Sequence, residues 1–449
     1  MGAVFMWGAV ITLVAAGALL AVAAPIQVTL VLLGVVGALV TRSRTAVIVL
    51  VVVMVPTLGL VRRLAAGEAA YVEGDPLILL PLLLTMGVLV ASWGQPRTVR
   101  GADLARVLAV FTVLGVLITV ILRGAFSVDG IFFAGLVAVP LLLAVALSAG
   151  QMPSVWPSVL RILPWLAIAV SIYGVIQFFV LPQWDRAWML SSPLTSIGHP
   201  FPEQVRVFGT AESPGPFAIF LGICLTAALC MIVIADNART RVAWVITAAA
   251  VTLPLILTGV RSVLLGVALC VLVLVAVRAR GLSRIVLVAF FIGAFLLVNQ
   301  VISIFGASST ILNVDRYSNL SDDTSLTARL GLVRYLVNAP QYVVGNPSAP
   351  PIDNLFLDVL VRYGLVAAAS LFLLFVVVAF RALRLLWRKQ NEVAALCVVF
   401  LVIQSMFGNI FNALIGILVG VIMGTVMASP SPLSEADRTW HPSRRSAIG

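Results

Sequence analysis

The chain has 449 residues, of which 62% are hydrophobic and 10% charged, with a formal net charge of +11. A soluble protein of this length cannot hide that much apolar surface, so the surplus must face lipid. The basic excess invites a nucleic-acid reading, which the placement of the charges along the chain excludes.

Fourteen apolar runs approach the ~20 residues that a membrane-crossing helix needs. They centre on residues 5–23, 26–41, 45–61, 76–93, 106–122, 131–148, 158–181, 214–235, 241–257, 261–277, 285–305, 354–380, 393–409 and 411–428. Pro25 separates the first two, and Asn409 and Asn412 mark the junction of the last two. Either pair also reads as a re-entrant hairpin, which makes twelve crossings the lower count. The first run lacks a basic leader and a second apolar run follows at once, so it is not read as a signal peptide. Cys224, Cys230, Cys270 and Cys397 all lie within apolar runs, which argues against a disulfide framework or a thiolate metal site. The only histidines are His199 and His441, which weakens a zinc reading further. The expectation is an all-α, polytopic membrane helix bundle with 12–14 transmembrane helices, one domain over residues 1–428, and a Ser-, Pro- and Arg-rich disordered tail over 429–449.

With the N-terminus in the cytoplasm, the inner segments carry 18 basic and 5 acidic residues, a net +13. The outer segments carry 10 basic and 12 acidic residues, a net −2. This asymmetry satisfies the positive-inside rule and puts both termini in the cytoplasm. The basic excess therefore orients the protein and meets anionic headgroups of membrane lipids; it is not a nucleic-acid footprint.

Two predicted outer loops are long. The first, 182–213, carries Trp184 and Trp188 at a spacing that puts both indoles on one face of a short interfacial helix. The second, 306–352, contains SDDTSLTARLGLVRYLVNAP (321–340), in which Asp322, Asp323 or Thr324 caps an amphipathic helix that Pro340 ends. The same Asp322-Asp323 pair is also a candidate for a divalent cation, although capping accounts for it more simply.

Arginines on the outer side are the unusual feature. Arg206, Arg261, Arg329, Arg334 and Arg362 fall at or near outer helix ends, and Arg362 lies about two turns inside its run. An ionisable residue at such depth points to function, and guanidinium groups match phosphate oxygens in pairs. The competing reading is pairing with outer carboxylates or snorkelling to headgroups. Arg206 and Arg261 favour the functional reading, because each adjoins a Gly-containing break where backbone can also face a ligand. Asp353 and Asn354 open an outer-side helix in DNLFLDVLVRYGL (353–365). Capping explains them in isolation; a general base facing a cavity is the alternative. Asp358 stands four residues before Arg362, the spacing of an intrahelical pair.

Taken in order, the pieces YGVIQFF (173–179), WDRAW (184–188), RVFGTAESPGPFA (206–218), LTGVRS (257–262), TARLGL (327–332), PQYVVGN (340–346) and DNLFLDVLVRYGL (353–365) resemble the O-antigen ligase and polysaccharide polymerase superfamily of bacterial membrane glycosyltransferases. The resemblance implies an enzyme of the inner membrane with its active site on the outer face. It would move a glycan from a polyprenyl pyrophosphate carrier to an acceptor hydroxyl on a lipid or glycan. It also implies inversion at the anomeric carbon and no need for a metal or other cofactor. Arg206, Arg261 and Arg329 would contact the pyrophosphate, with Thr210, Glu212, Arg334 and Arg362 as further substrate contacts, and Asp353 with Asn354 would be catalytic. Two positions depart from the pattern. Ligases typically carry His-Asn where this chain has Asp353-Asn354, and asparagine where it has Glu212. A carboxylate at Glu212 should repel pyrophosphate unless it pairs with an arginine or faces the acceptor. The reading from another class is a transporter or flippase of lipid-linked oligosaccharide, which calls for a charged path toward the cytoplasmic side or an inverted repeat. No internal repeat is evident.

Overall fold

The computed structural model describes residues 43–66, 75–92, 103–194, 197–277, 335, 339–411 and 413–428. Every apolar run among them is a helix; the runs at 5–23, 26–41 and 285–305 lie outside the described residues. In chain order the helices are α1 (Arg44–Ala66), α2 (Leu80–Ser92, after a 3-10 turn at Pro76–Leu79), α3 (Leu104–Leu122) and α4 (Val128–Ser148). Next come α5 (Val155–Val180), α6 (Gln183–Ser191), α7 (Pro214–Ile234), α8 (Ala238–Leu257) and α9 (Arg261–Val277). A 3-10 turn at Ala339–Tyr342 precedes α10 (Leu355–Arg388), α11 (Glu392–Phe407) and α12 (Ile415–Ala428). Among the described residues the only β-pairing is a single isolated bridge, Gly198 with Val205.

A helix satisfies all its interior backbone groups within itself, which is why a chain dissolved in lipid adopts it. The ends are closed by side chains: Asp103, Ser127, Asn237 and Asn354 each accept from a backbone N–H in the first turn that follows. Seven of the described helices are long and apolar enough to cross a membrane, so the protein is a multi-pass membrane helix bundle. Its lipid face is legible on α3, where Val107, Phe111, Leu114, Ile118 and Ile121 stay exposed at helical spacing. α7 is the central column, and nearly all its side chains are buried against α8, α9 and α11.

Contacts sort the connections into two ends. At one, which we call lower, Arg381 pairs with Asp103, Arg106 reaches the Ser148 carbonyl at 2.8 Å, and Thr45 bonds Ser154 at 2.8 Å. At the upper end Arg63 meets Asp185, Arg206 meets Thr258, and Asn354 meets Met406. The upper end gathers segments predicted to be outer, and the lower end those predicted to be inner. The last pair of helices is not a re-entrant hairpin, since α11 returns from the lower end to the upper. α12 then descends until the Met427 carbonyl faces Arg381. With 14 residues α12 rises only about 21 Å, short of the ~30 Å hydrocarbon thickness. It starts deep: Gly416 already packs on the Leu136 carbonyl, and the connecting turn with buried Ile410 and Phe411 sinks into the bundle.

α12 lies on α4 through Gly416, Gly420 and Gly424, one residue per turn. A Cβ at 420 would stand 2.4 Å from the Pro140 carbonyl oxygen, and one at 424 would stand 2.9 Å from the backbone of Ala144. Without a hydrophobic force between helices in lipid, such backbone contact is what holds them together. Gly420→Ala should therefore cost about 1–3 kcal/mol by overpacking and lower the melting temperature of the purified protein in detergent. Gly87→Ala, at a site with nothing within 4 Å, should leave it unchanged or slightly raise it.

Candidate functional site

The turn from Arg206 to Ser213 lies at the upper end, just before α7. Its backbone is claimed group by group. The Val207 N–H bonds the Leu257 carbonyl at 3.1 Å. The Phe208 and Gly209 N–H groups both donate to Gln177 Oε1, at 2.9 and 2.7 Å. The Leu60 N–H donates to the Thr210 carbonyl at 2.8 Å. Arg63 donates to the carbonyls of Gly209 and Ala211. Gly209 takes φ of +52°, and a Cβ there would sit 2.3 Å from the Phe217 ring, so only glycine fits. Gly59 lets α1 touch this turn directly, since a Cβ there would lie 2.5 Å from the Ala211 carbonyl carbon.

Arg63 is the centre of a buried lattice. It is 1% exposed, its Nε lies 2.7 Å from Asp185 Oδ1, and its guanidinium covers the Phe208 ring at 4.8 Å. Asp185, fully buried on α6, also accepts from Gln177 Nε2 at 2.7 Å and Tyr173 Oη at 2.9 Å. Burial raises the Asp185 carboxyl above its ordinary range, and Arg63, Gln177 and Tyr173 oppose that shift. Arg62, beside it, pairs with Asp75 at 2.6 Å and with Glu212, and lies over the Trp188 ring. The short helix predicted around Trp184 and Trp188 exists as α6, and both indoles turn toward the bundle. Trp184 Nε1 donates to Tyr173 Oη at 2.7 Å, and Trp188 Nε1 to the Glu212 carbonyl at 3.4 Å.

The predicted site residues take distinct places. Arg206 is half-buried and donates to the Thr258 carbonyl at 3.1 Å and the Gly259 carbonyl at 3.5 Å. These belong to the turn that leads into Arg261, also half-buried, at the start of α9. Thr210 is buried, with its carbonyl committed to α1. Both backbone groups of Gly209 and the Thr210 carbonyl are thus bonded to protein, not open to a ligand. Glu212 is an arginine-paired carboxylate, which removes the conflict its charge posed. Asn354 caps α10 through Oδ1, which accepts from the Phe356 and Leu357 N–H groups at 3.1 Å, and its Nδ2 donates to the Met406 carbonyl. Asp353 is exposed and makes no hydrogen bond or ion pair among the described residues. Of the two candidates for capping α10, Asn354 does it and Asp353 does not. Arg362 is 3% exposed, 3.2 Å from Asp358 Oδ1 in the expected i,i+4 pair, and 4.4 Å from the centre of the Phe133 ring. Asp358 in turn accepts from the Ile352 N–H and from Asn409 Nδ2, both at 2.9 Å. Arg329, Arg334 and the Asp322-Asp323 pair lie outside the described residues.

A chain of contacts joins these places. Arg206 sits on the turn before Arg261, and Gln404 Nε2 donates to the Ser262 carbonyl at 2.7 Å. Two residues on, the Met406 carbonyl receives Asn354, which follows Asp353. Arg62, Arg63, Asp75 and Asp185 were not singled out from sequence. Their signal was two adjacent basic residues at a helix end predicted to be outer, against the positive-inside pattern. No known family model matches the chain, and no curated protein matches it.

Removing one partner of the buried Arg63–Asp185 pair leaves an uncompensated charge. Arg63→Met should cost about 3–5 kcal/mol, read as earlier unfolding in detergent. The double variant with Asp185→Asn should recover part of that loss. Recovery will be incomplete, because the carbonyls of Gly209 and Ala211 lose their donor.

Proposed function

We propose that this protein is a membrane glycosyltransferase that moves a glycan from a polyprenyl pyrophosphate carrier to an acceptor hydroxyl at the outer face of the membrane, as an O-antigen ligase or polysaccharide polymerase does. One observation carries the reading: Asp353 is an exposed carboxylate freed from capping by Asn354, at the same end of the bundle where Arg206 donates to the turn that leads into Arg261. The order of motifs along the chain adds the resemblance. Fold by itself would not fix a function.

In this reaction the acceptor oxygen attacks the anomeric carbon and forms the new glycosidic bond. The bond from that carbon to the pyrophosphate oxygen breaks, and the carrier leaves as polyprenyl pyrophosphate. The acceptor proton passes to the Asp353 carboxylate. Negative charge develops on the leaving oxygen, where Arg206 and Arg261 stabilise it without reorganising. Direct displacement inverts the anomeric centre. Arg362 is not a free cation for phosphate, since Asp358 already neutralises it; it supports the start of α10.

With a lipid-linked glycan donor and purified protein, Arg206→Ala and Arg261→Ala should each lower transfer by roughly a hundredfold or more. Full activity in both would remove the pyrophosphate assignment. Asp353→Asn should lower turnover by at least roughly a hundredfold if the carboxylate takes the proton, and leave it unchanged if it does not. Deletion of the gene separates the classes. Single repeat units without long chains indicate a polymerase, and carrier-linked polymer left unattached indicates a ligase. Unchanged surface glycans with a solute phenotype indicate a transporter.

A further inference from the structure

α10 is two helices joined across a break. Gly364 takes φ of +87° and ψ of 175°, a conformation open to glycine and strained for any L side chain. The break orphans backbone groups two turns below the start of the helix, where lipid offers them nothing. A second segment fills it. The Asn346 N–H donates to the Val361 carbonyl at 2.8 Å. Thr119 Oγ1 donates to the Tyr363 carbonyl at 2.8 Å. Gly345 lies flush on the backbone, where a Cβ would stand 2.3 Å from the Arg362 carbonyl carbon; a Cβ at 364 would stand 2.5 Å from the Val343 carbonyl oxygen. Residues 343–346 are thus a wedge that replaces a turn of helix.

The wedge is clamped from a different helix. Arg123, an exposed residue at the end of α3, donates from Nε to the Gly345 carbonyl at 2.8 Å and from Nη2 to the Val344 carbonyl at 3.0 Å. The stub it steadies, Leu355–Tyr363, carries the Asn354 cap at its head and the Asp358–Arg362 pair along its length. We propose that Arg123 is a positioning residue. By holding Val344 and Gly345 in the break, it fixes the stub, and with it the place of Asp353 relative to Arg206 and Arg261. Arg123 touches no reacting atom. The catalytic side of this inference rests on the glycan-transfer reading; the mechanical side does not.

Hydrogen exchange followed by mass spectrometry on the full-length protein in nanodiscs tests it. Arg123→Ala should speed exchange across 343–363 by roughly tenfold or more, because the opening there becomes local, while α11 exchanges as before. Gly345→Ala disrupts the wedge from its other side and should give the same pattern. Arg123→Lys keeps a donor for one carbonyl and should restore part of the protection. In the transfer assay Arg123→Ala should lower kcat and leave the donor KM unchanged, since the donor arginines sit on other elements. Unaltered exchange at 355–363 in both Arg123→Ala and Gly345→Ala would overturn the proposal, as would faster exchange with undiminished turnover. If the wild-type protein transfers no glycan, the proposed function falls, and the exchange measurement still decides whether the wedge holds the stub.

Discussion

An apolar bundle tolerates a break in a helix only where protein supplies the hydrogen bonds that water would otherwise supply. An orphaned amide or carbonyl in such surroundings costs roughly 2–7 kcal/mol, so each break needs a built set of partners. Among the described residues at the upper end, an irregular turn before α7 and the break in α10 are each closed by an arginine. Arg63 holds the Gly209 and Ala211 carbonyls of the turn before α7. Arg123 holds the wedge in the break of α10. The rest of the upper end follows from these two closures.

The first closure shows why the protein buries Asp185 completely. Arg63 must be desolvated to reach two carbonyls, and a desolvated guanidinium needs a counter-charge. Asp185 provides it, and Tyr173 and Gln177 satisfy the other carboxylate oxygen. Gln177 then turns its own oxygen to the Phe208 and Gly209 N–H groups. Three elements, α1, α5 and α6, are thereby fastened to one turn, and the Arg206 that opens it donates to the Thr258 and Gly259 carbonyls ahead of Arg261. Arg62 fastens Glu212 and Asp75 in the same region.

Much of this was legible in the sequence. The eleven apolar runs that fall among the described residues are helices, their connections alternate between two ends, and the Asp358–Arg362 pair forms at its expected spacing. The reading of Gly209 and Thr210 as backbone open to a ligand is where sequence and structure part. A glycine in a break signals close approach, and sequence cannot say of what; here α1 and the Phe217 ring occupy the space. The wedge was hidden for a related reason. Gly345 and Gly364 are 19 positions apart, and no local pattern marks them as facing each other.

What the sequence determined by itself is what local chemistry dictates. Apolar length makes helices, and a polar residue before a helix caps it. What only the tertiary structure decided is which charges are spent. Glu212 is neutralised by Arg62, 150 residues away in sequence, and Asp353 makes no ion pair among the described residues while Asn354 takes the cap. Burial and pairing are set by which helices lie side by side, and the electrostatic role of each charged residue depends on partners that the chain brings together only when it folds.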